Sequence, residues 1–277
     1  MSIKDITVII ATFKSEEKVK DCLNTIDSSC KVIIVENSNN TEFKKNIESQ
    51  FINVDCVLTG RNLGYGHANN IGIKKILTKY ALILNPDTTV HPQALNNFLK
   101  TTKKINEFAI MAPYIQEEKS EKPINNVPVS TTNVKGFAMF FKVSEFKDVG
   151  FFDERFFFYF EEIDLCRRLI NKGKKIYLVP DIQITHQGAQ SHNKSINKEM
   201  ELSRNWHWMW STFIYHKKYK GFLLSFLIIL PKLVSAAIKI LVYSIMLNTE
   251  KKNIYYQRLS GLTNAIIGKT SWYRPNV

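Results

Sequence analysis

Apolar runs of strand length alternate with amphipathic and polar stretches from the N-terminus onward. Residues 3–11 (IKDITVIIA) form a β-branched run that predicts a first strand. Residues 14–26 predict a helix, with Val19, Cys22, Leu23 and Ile26 on one face. A second buried strand is expected at residues 31–36 (KVIIVE), followed by the polar turn Asn37-Ser38-Asn39-Asn40 and a helix over 41–50. Residues 53–58 predict a third strand, 60–66 a Gly/Asn loop, 67–78 a helix and 80–84 a fourth strand ending at Asn85-Pro86-Asp87. A helix is expected over 92–104. Beyond it come a polar loop (116–132), a strand (134–143) and an aromatic segment (151–160). A helix (161–171), a strand (175–179) and a loop (181–191) follow. Strands alternating with helices at this spacing imply βαβ units and a mostly parallel, Rossmann-like sheet. Functional loops of such a sheet lie beyond the carboxyl ends of its strands. Thr12, Glu36, the 60–66 loop and Asp87 all fall there.

The 277 residues suit one or two domains, and 44% hydrophobic with 23% charged residues is globular composition. Cys22, Cys30, Cys56 and Cys166 contain no CxxC pair, which argues against a zinc ribbon or a thioredoxin motif. The N-terminal apolar run, interrupted by Asp5, reads as a strand and not as a signal peptide. Net charge is +13, but it is unevenly spread. From Arg204 onward there are 11 basic residues and one acid, Glu250; the preceding 203 residues carry 27 basic and 24 acidic ones. The division expected is therefore 1–203 as a catalytic α/β domain and 204–277 as a basic, aromatic and apolar helical region. Because the first region is nearly balanced, a nucleic-acid partner is not expected.

Four features carry candidate chemistry. Asp87 ends a buried apolar strand, where it can serve a hard cation such as Mg²⁺ or Mn²⁺, or simply close a turn or cap a helix. The segment from Gly60 to Asn70 (GRNLGYGHANN) has phosphate-loop composition, but it is neither GxGxxG nor GK[ST], and a plain glycine turn is the alternative. Glu161, Glu162 and Asp164 open a helix. Acids there interact favourably with the helix dipole, by about 0.3–1 kcal/mol each. They also follow the apolar wall Phe156–Phe160, and desolvation raises a carboxyl pKa toward that of a useful base. Glu162 and Asp164 point roughly 200° apart around a helix. One is expected to be the base and the other structural or acceptor-binding. His186 is either structural or a contact to metal or phosphate.

Taken in order, these motifs resemble the family 2 inverting glycosyltransferases, particularly bacterial rhamnosyltransferase-like members, over about residues 3–215. The motifs are Ala11-Thr12-Phe13, Val35-Glu36-Asn37-Ser38, Asn62-Leu63-Gly64-Tyr65-Gly66-His67-Ala68-Asn69-Asn70 and Asn85-Pro86-Asp87. They continue with Gly150-Phe151-Phe152-Asp153-Glu154, the segment Phe160 to Arg168, and His186-Gln187-Gly188. The resemblance implies a GT-A fold, a nucleotide-diphosphate sugar donor (dTDP-rhamnose favoured) and a divalent cation, Mg²⁺ or Mn²⁺. It implies that Thr12 and Glu36 line the nucleoside pocket and that Asn62, Gly64 and Asn69 hold the nucleotide. Asp87 and His186 would meet the metal or pyrophosphate, and Glu162 would stand at the base position. The acceptor would be a saccharide or lipid-linked hydroxyl in cell-surface polysaccharide synthesis. Here the base motif reads Glu-Glu where Glu-Asp is usual, so Asp164 is a rival. Glu36 stands where Asp is usual, and Asn85 where the first acid of a DxD motif would stand. Alternatives are another metal-dependent nucleotide-binding α/β transferase, or a non-catalytic relative that binds sugar or membrane.

The tail reads differently. Trp206, Trp210 and Phe213 share one helical face, and Lys217, Lys218 and Lys220 follow. The apolar stretch Gly221–Leu247 is broken by Pro231, Lys232 and Lys239. A spanning helix wants ~20 apolar residues, and a central lysine costs ~2.5–3.5 kcal/mol. Helices lying in a membrane interface are therefore expected, with lysines toward anionic headgroups and tryptophans at headgroup level. That would place the protein at the cytoplasmic face of the membrane. Packing as a helical subdomain, or in a homo-oligomer, is the alternative.

Overall fold

A computed structural model describes residues 2–114, 126–186 and 196–275. The chain forms two compact units. The first comprises Met1–Phe152 with Glu162–Asn193, and the second Asp153–Glu161 with Lys194–Val277.

The first unit is built on an eight-stranded sheet. In chain order its elements begin with β1 (Ile6–Thr12), α1 (Glu16–Leu23), β2 (Lys31–Glu36), α2 (Thr41–Gln50), β3 (Val54–Leu58) and α3 (Tyr65–Ile73). They continue with β4 (Tyr80–Leu84), β5 (Thr88–Val90), α4 (Ala94–Lys104), β6 (Ile110–Pro113), β7 (Val129–Ser130) and β8 (Ala138–Lys142), then α5 (Glu161–Asn171), β9 (Ile176–Val179) and β10 (Ile184–His186). The sheet order is β3-β2-β1-β4-β8-β6-β9-β7, while β10 and β5 form a separate antiparallel pair. Strands β3, β2, β1 and β4 are mutually parallel, and β8 enters antiparallel between β4 and β6. This is the mostly parallel α/β architecture expected from the alternating pattern.

The strands read as unbroken apolar runs because both faces of the sheet are covered. Ile6, Val8 and Ile10 of β1 face one core with Val19 and Leu23 of α1, Phe98 of α4 and Phe140 of β8. Ile9 faces the other, with Ile73 of α3 and Leu165 and Leu169 of α5. Among the described residues four short strands have no counterpart in the expected elements. β5 and β6 fall where none is expected, and β7 and β10 occupy stretches expected to be loops. The expected strand at 134–143 contracts to Ala138–Lys142, since only that part pairs with β4.

The second unit is helical. α6 (Asn197–Ile245) is a helix broken at Gly221, whose φ of 75° lies in the left-handed region. It therefore has two arms. α7 (Thr249–Ile266) packs back on both. Trp206 and Trp210, expected at headgroup level, are buried here with Phe156, Phe213 and Leu262. Their indole N–H groups donate to Ser260 Oγ (3.2 Å) and to the Lys269 carbonyl (3.0 Å). Trp208, between them in the sequence, is exposed. The first arm of α6 thus presents its tryptophans to its own unit, because a buried indole can satisfy its one donor there.

Candidate active site

The parallel register brings three carboxyl ends to one edge of the sheet. Thr12 pairs with Glu36, and Ile10 with Leu84. β8 starts at the same edge because it runs antiparallel, with Ala138 opposite Leu84. The Asn85 N–H donates to the Phe137 carbonyl (2.9 Å), so Gly136 and Phe137 border the strand-end turn. That turn is closed by Thr88, whose hydroxyl donates to the Asn85 carbonyl (2.8 Å).

Asp87 lies within this turn and is 3% exposed. Neither of its carboxylate oxygens accepts a hydrogen bond. It caps no helix, since α4 begins only at Ala94. β10 pairs with β5 so that His186 stands opposite Thr88. The imidazole stacks on Phe137 (4.9 Å between ring centres), with Nε2 3.1 Å from Asp87 Oδ1 and 3.3 Å from Asn85 Nδ2. A buried carboxylate without a proton donor is costly unless a cation completes it. Asp87 and His186 therefore fit a divalent ion such as Mg²⁺ or Mn²⁺. Among the described residues no group of three or more His, Cys, Asp or Glu side chains converges on one point. Such an ion would take its remaining ligands from water or substrate oxygens.

The glycine loop is held from within. Asn37, just past β2, donates from Nδ2 to Asn62 Oδ1 (3.1 Å) and to the Gly64 carbonyl (3.2 Å), while its Oδ1 accepts from the Leu63 N–H (2.9 Å). Asn62 Oδ1 also accepts from the Gly64 N–H (3.1 Å). Gly64, at φ 89°, turns the chain into α3. Asn69 is buried. Its Nδ2 donates to the Tyr65 carbonyl (3.0 Å), and its Oδ1 has no partner. Thr12 Oγ1 is likewise enclosed without a partner. Glu36 is different, because its carboxylate accepts from Ser38 N–H (3.1 Å), Ser38 Oγ–H (2.7 Å) and Asn40 N–H (3.2 Å). It stands at the expected edge, but it is engaged with its own turn.

Glu162 sits in the first turn of α5, its Cβ and Cγ lying alongside Gly136. Its Oε2 is enclosed and unpartnered. Burial pushes its pKa above the ordinary carboxylate value, against the opposing pull of the Glu162 and Ile163 N–H groups. Asp164 points elsewhere and is fully buried. Its Oδ2 accepts from Arg168 Nε (2.7 Å), and the same guanidinium donates to the carbonyls of Val149 (2.8 Å), Gly150 and Phe151. The pair fastens α5 to the 149–151 loop.

Sequence reasoning assigned no role to Asn37, Asn70, Gly136 or Arg168. Asn70 grips Phe152 in both directions, donating to its carbonyl (2.9 Å) and accepting from its N–H (3.0 Å). The Tyr65 hydroxyl donates to the Gly136 carbonyl. Asn37, Asn70 and Arg168 lie inside the quoted motifs, which was the only signal for them. Gln187 and Gly188 of the last motif lie outside the described residues.

The family model described as Glycosyl transferase family 2 matches residues 7–167, more than half of the chain. The chain belongs to this family. Among individual relatives, it is 27% identical over 191 residues to the low-salt glycan biosynthesis hexosyltransferase Agl10 of Haloferax volcanii. That match takes in 59% of this chain and 61% of the archaeal protein, so the chain covers about three fifths of that relative's length. It is 26% identical over 247 residues to the rhamnosyltransferase WbbL of Escherichia coli, covering 75% of this chain and 91% of that one. Among solved structures, a mannosyltransferase from Pyrobaculum calidifontis, in complex with GDP-Man and Mn²⁺, superposes with a TM-score of 0.58. It shares 13% identity, with 95% of this chain and 87% of that chain aligned. The family 2 chain therefore has the GT-A fold that its motifs implied.

Proposed function

We propose that this family 2 protein is an inverting glycosyltransferase that moves a sugar from a nucleotide-diphosphate donor to a hydroxyl of a saccharide or lipid-linked acceptor. One observation carries the reading. Four residues expected at the site each bury a polar oxygen with no hydrogen-bond partner in the protein: Thr12 Oγ1, Asn69 Oδ1, Asp87 Oδ2 and Glu162 Oε2. Buried polar groups are normally paired, so oxygens left open in this way fit a site that a polar ligand completes. Thr12 and Asn69 offer acceptors to the donor's nucleotide. Asp87 and His186 would hold Mg²⁺ or Mn²⁺, which when bound offsets negative charge on the departing diphosphate.

Glu162 takes the proton of the acceptor hydroxyl. The hydroxyl oxygen bonds to the anomeric carbon from the side opposite the leaving group, and the bond from that carbon to the diphosphate oxygen breaks. A carboxyl pKa raised by burial moves Glu162 toward the range where a general base works best. Asp164, with its oxygen committed to Arg168, is a positioning residue for α5. Rhamnose is the favoured sugar. The support is the resemblance to the E. coli rhamnosyltransferase and 27% identity over 209 residues to the dTDP-rhamnosyl transferase RfbF of Shigella flexneri.

The test is a donor panel. Purified protein with Mg²⁺ or Mn²⁺ is given dTDP-, UDP- and GDP-sugars, with and without polyprenyl-diphosphate saccharides, and nucleoside diphosphate release is measured. Release of dTDP from dTDP-rhamnose is expected. Release from another donor alone would overturn the choice of sugar, and none from any donor–acceptor pair would overturn the activity.

A further inference from the structure

The second arm of α6 carries its apolar side chains on the wrong side for a helix in water. Leu223, Leu227, Val234, Ile238, Leu241 and Ile245 are all at least 47% exposed. At 100° per residue these six positions fall within about 60° of one another around the helix, and they run for about 33 Å along it. The residues that this arm buries, Ser225, Ile229 and Ala236, lie about 200–240° round from Leu223, and Ile229 there clusters with Leu262 and Ala265 of α7. Lys232 and Lys239 also lie away from the stripe, about 160–180° round. Lys239 turns to Tyr255 of α7, with Nζ 3.1 Å from the phenol oxygen and 4.8 Å from the ring centre. Lys251 and Arg258 of α7 crowd the same Tyr243–Tyr255 stack. The outer stripe is thus free of charge, and the cations gather along the seam behind it.

A continuous stripe of this length far exceeds the scattered apolar residues of an ordinary surface. We propose that it is a membrane-docking face that lies in the plane of an anionic bilayer, with the α6–α7 hairpin resting on the surface and not crossing it. Three observations select this occupant. The region from Arg204 onward holds 11 basic residues and one acid, which complements anionic headgroups. The same charge opposes a second copy, because pairing two stripes would bring two strongly basic regions together. By length and composition α6 is able to cross a membrane. However, crossing would carry Lys232, Lys239 and the charged α7 (Glu250, Lys251, Lys252, Arg258) into hydrocarbon. Lying flat leaves the stripe in the acyl boundary and keeps these charges out of hydrocarbon. The inference does not depend on the sugar or the acceptor.

Flotation of the full-length protein with phosphatidylcholine vesicles, with and without 30% phosphatidylglycerol, tests it. Wild type is expected to float with the anionic vesicles. Leu227→Glu/Leu241→Glu is expected to lose flotation at least tenfold while melting like wild type. Leu77→Glu, at a fully exposed apolar site in the first unit, is expected to float unchanged. In cell membranes the wild type should be released by alkaline carbonate. Flotation undiminished in the double variant would overturn the docking face, and retention after carbonate would overturn the in-plane placement in favour of a span. A wild type that fails to float yet sediments as a dimer that the double variant splits would assign the stripe to self-association.

Discussion

Two carboxylates two residues apart have opposite surroundings. Glu162 faces Gly136 with an open oxygen, and Asp164 is tied to Arg168. Their conservative variants should therefore fail in different ways. Glu162→Gln is expected to melt like wild type and lose ~10²–10⁴ in turnover, with donor affinity retained. Its residual activity should lack the acidic limb of the kcat/KM profile, which in the wild type falls above the ordinary carboxylate range because burial raises the Glu162 pKa. Asp164→Asn weakens a buried charge-assisted bond, so it is expected to cost about 1–3 kcal/mol of stability with turnover per folded molecule largely retained. Loss of turnover in Asp164→Asn at unchanged stability would reverse the assignment. Asp87→Ala is expected to lower turnover ~10²-fold or more and to abolish the response of activity to added Mg²⁺ or Mn²⁺. Unaltered metal dependence in that variant would remove Asp87 from the cation site. Asp87 stood out in the sequence because it ends a buried apolar strand, and Glu162 because it follows an apolar wall, whereas Thr12 and Asn69 were given roles only by the family resemblance. Asn37 and Asn70 were not legible, since they act on partners 25 to 82 residues away and only the fold creates those pairs.

Among the elements, strands and helices longer than about five residues were legible from their period. β5, β6, β7 and β10, at two to four residues, were not. So few positions show too little alternation to stand out from a loop, and each exists because a neighbouring strand offers it a ladder. The α6–α7 pair depends on two glycines for different reasons. At Gly261 an added Cβ would stand 2.3 Å from the Trp206 carbonyl oxygen, a backbone atom that cannot swing aside. At Gly221 it would meet nothing within 4 Å, and only the left-handed backbone resists it. Gly261→Ala, through the clash, and Gly221→Ala, through a backbone at φ 75° and ψ 175° that is almost exclusive to glycine, are each expected to cost roughly 1–3 kcal/mol. A Gly261→Ala protein that melts like wild type would contradict this crossing of the helices.

On the scale of the molecule, composition locates the basic C-terminal region but does not reveal that Asp153–Glu161 belongs to the same compact unit. That segment is aromatic enough to suit any core, and its partners lie beyond residue 200. One of them, His207, makes the unit sensitive to acid. Its Nε2 donates to the Tyr273 carbonyl (2.9 Å), which can only accept, so Nδ1 is left to accept from the Ser271 hydroxyl (3.2 Å). Burial, together with the nearby Arg274 cation, pushes its pKa down from about 6.5 to about 3. The folded unit therefore keeps His207 neutral where the unfolded chain would protonate it. The stabilisation is full above about pH 6.5 and is lost as pH falls toward about 3. The melting temperature is expected to fall through that window, and His207→Gln should flatten the fall. An unchanged slope would show that other groups set it.

The placement of Asp153–Glu161 also bears on the order in which the chain is made. Phe156 leaves the ribosome long before Trp206, Phe213, Leu262 and Ala265, the side chains that bury it. At ~5–20 residues per second, roughly 5–20 s separate the aromatic segment from the last of its partners. For that interval a run of three phenylalanines, a tyrosine and a fourth phenylalanine stands uncovered beside an already synthesised strand-and-helix core. Nascent chains of this protein should therefore engage holdase chaperones most strongly between synthesis of Phe160 and of Ala265, and a chain cut short after residue 203 would keep that adhesive segment exposed indefinitely.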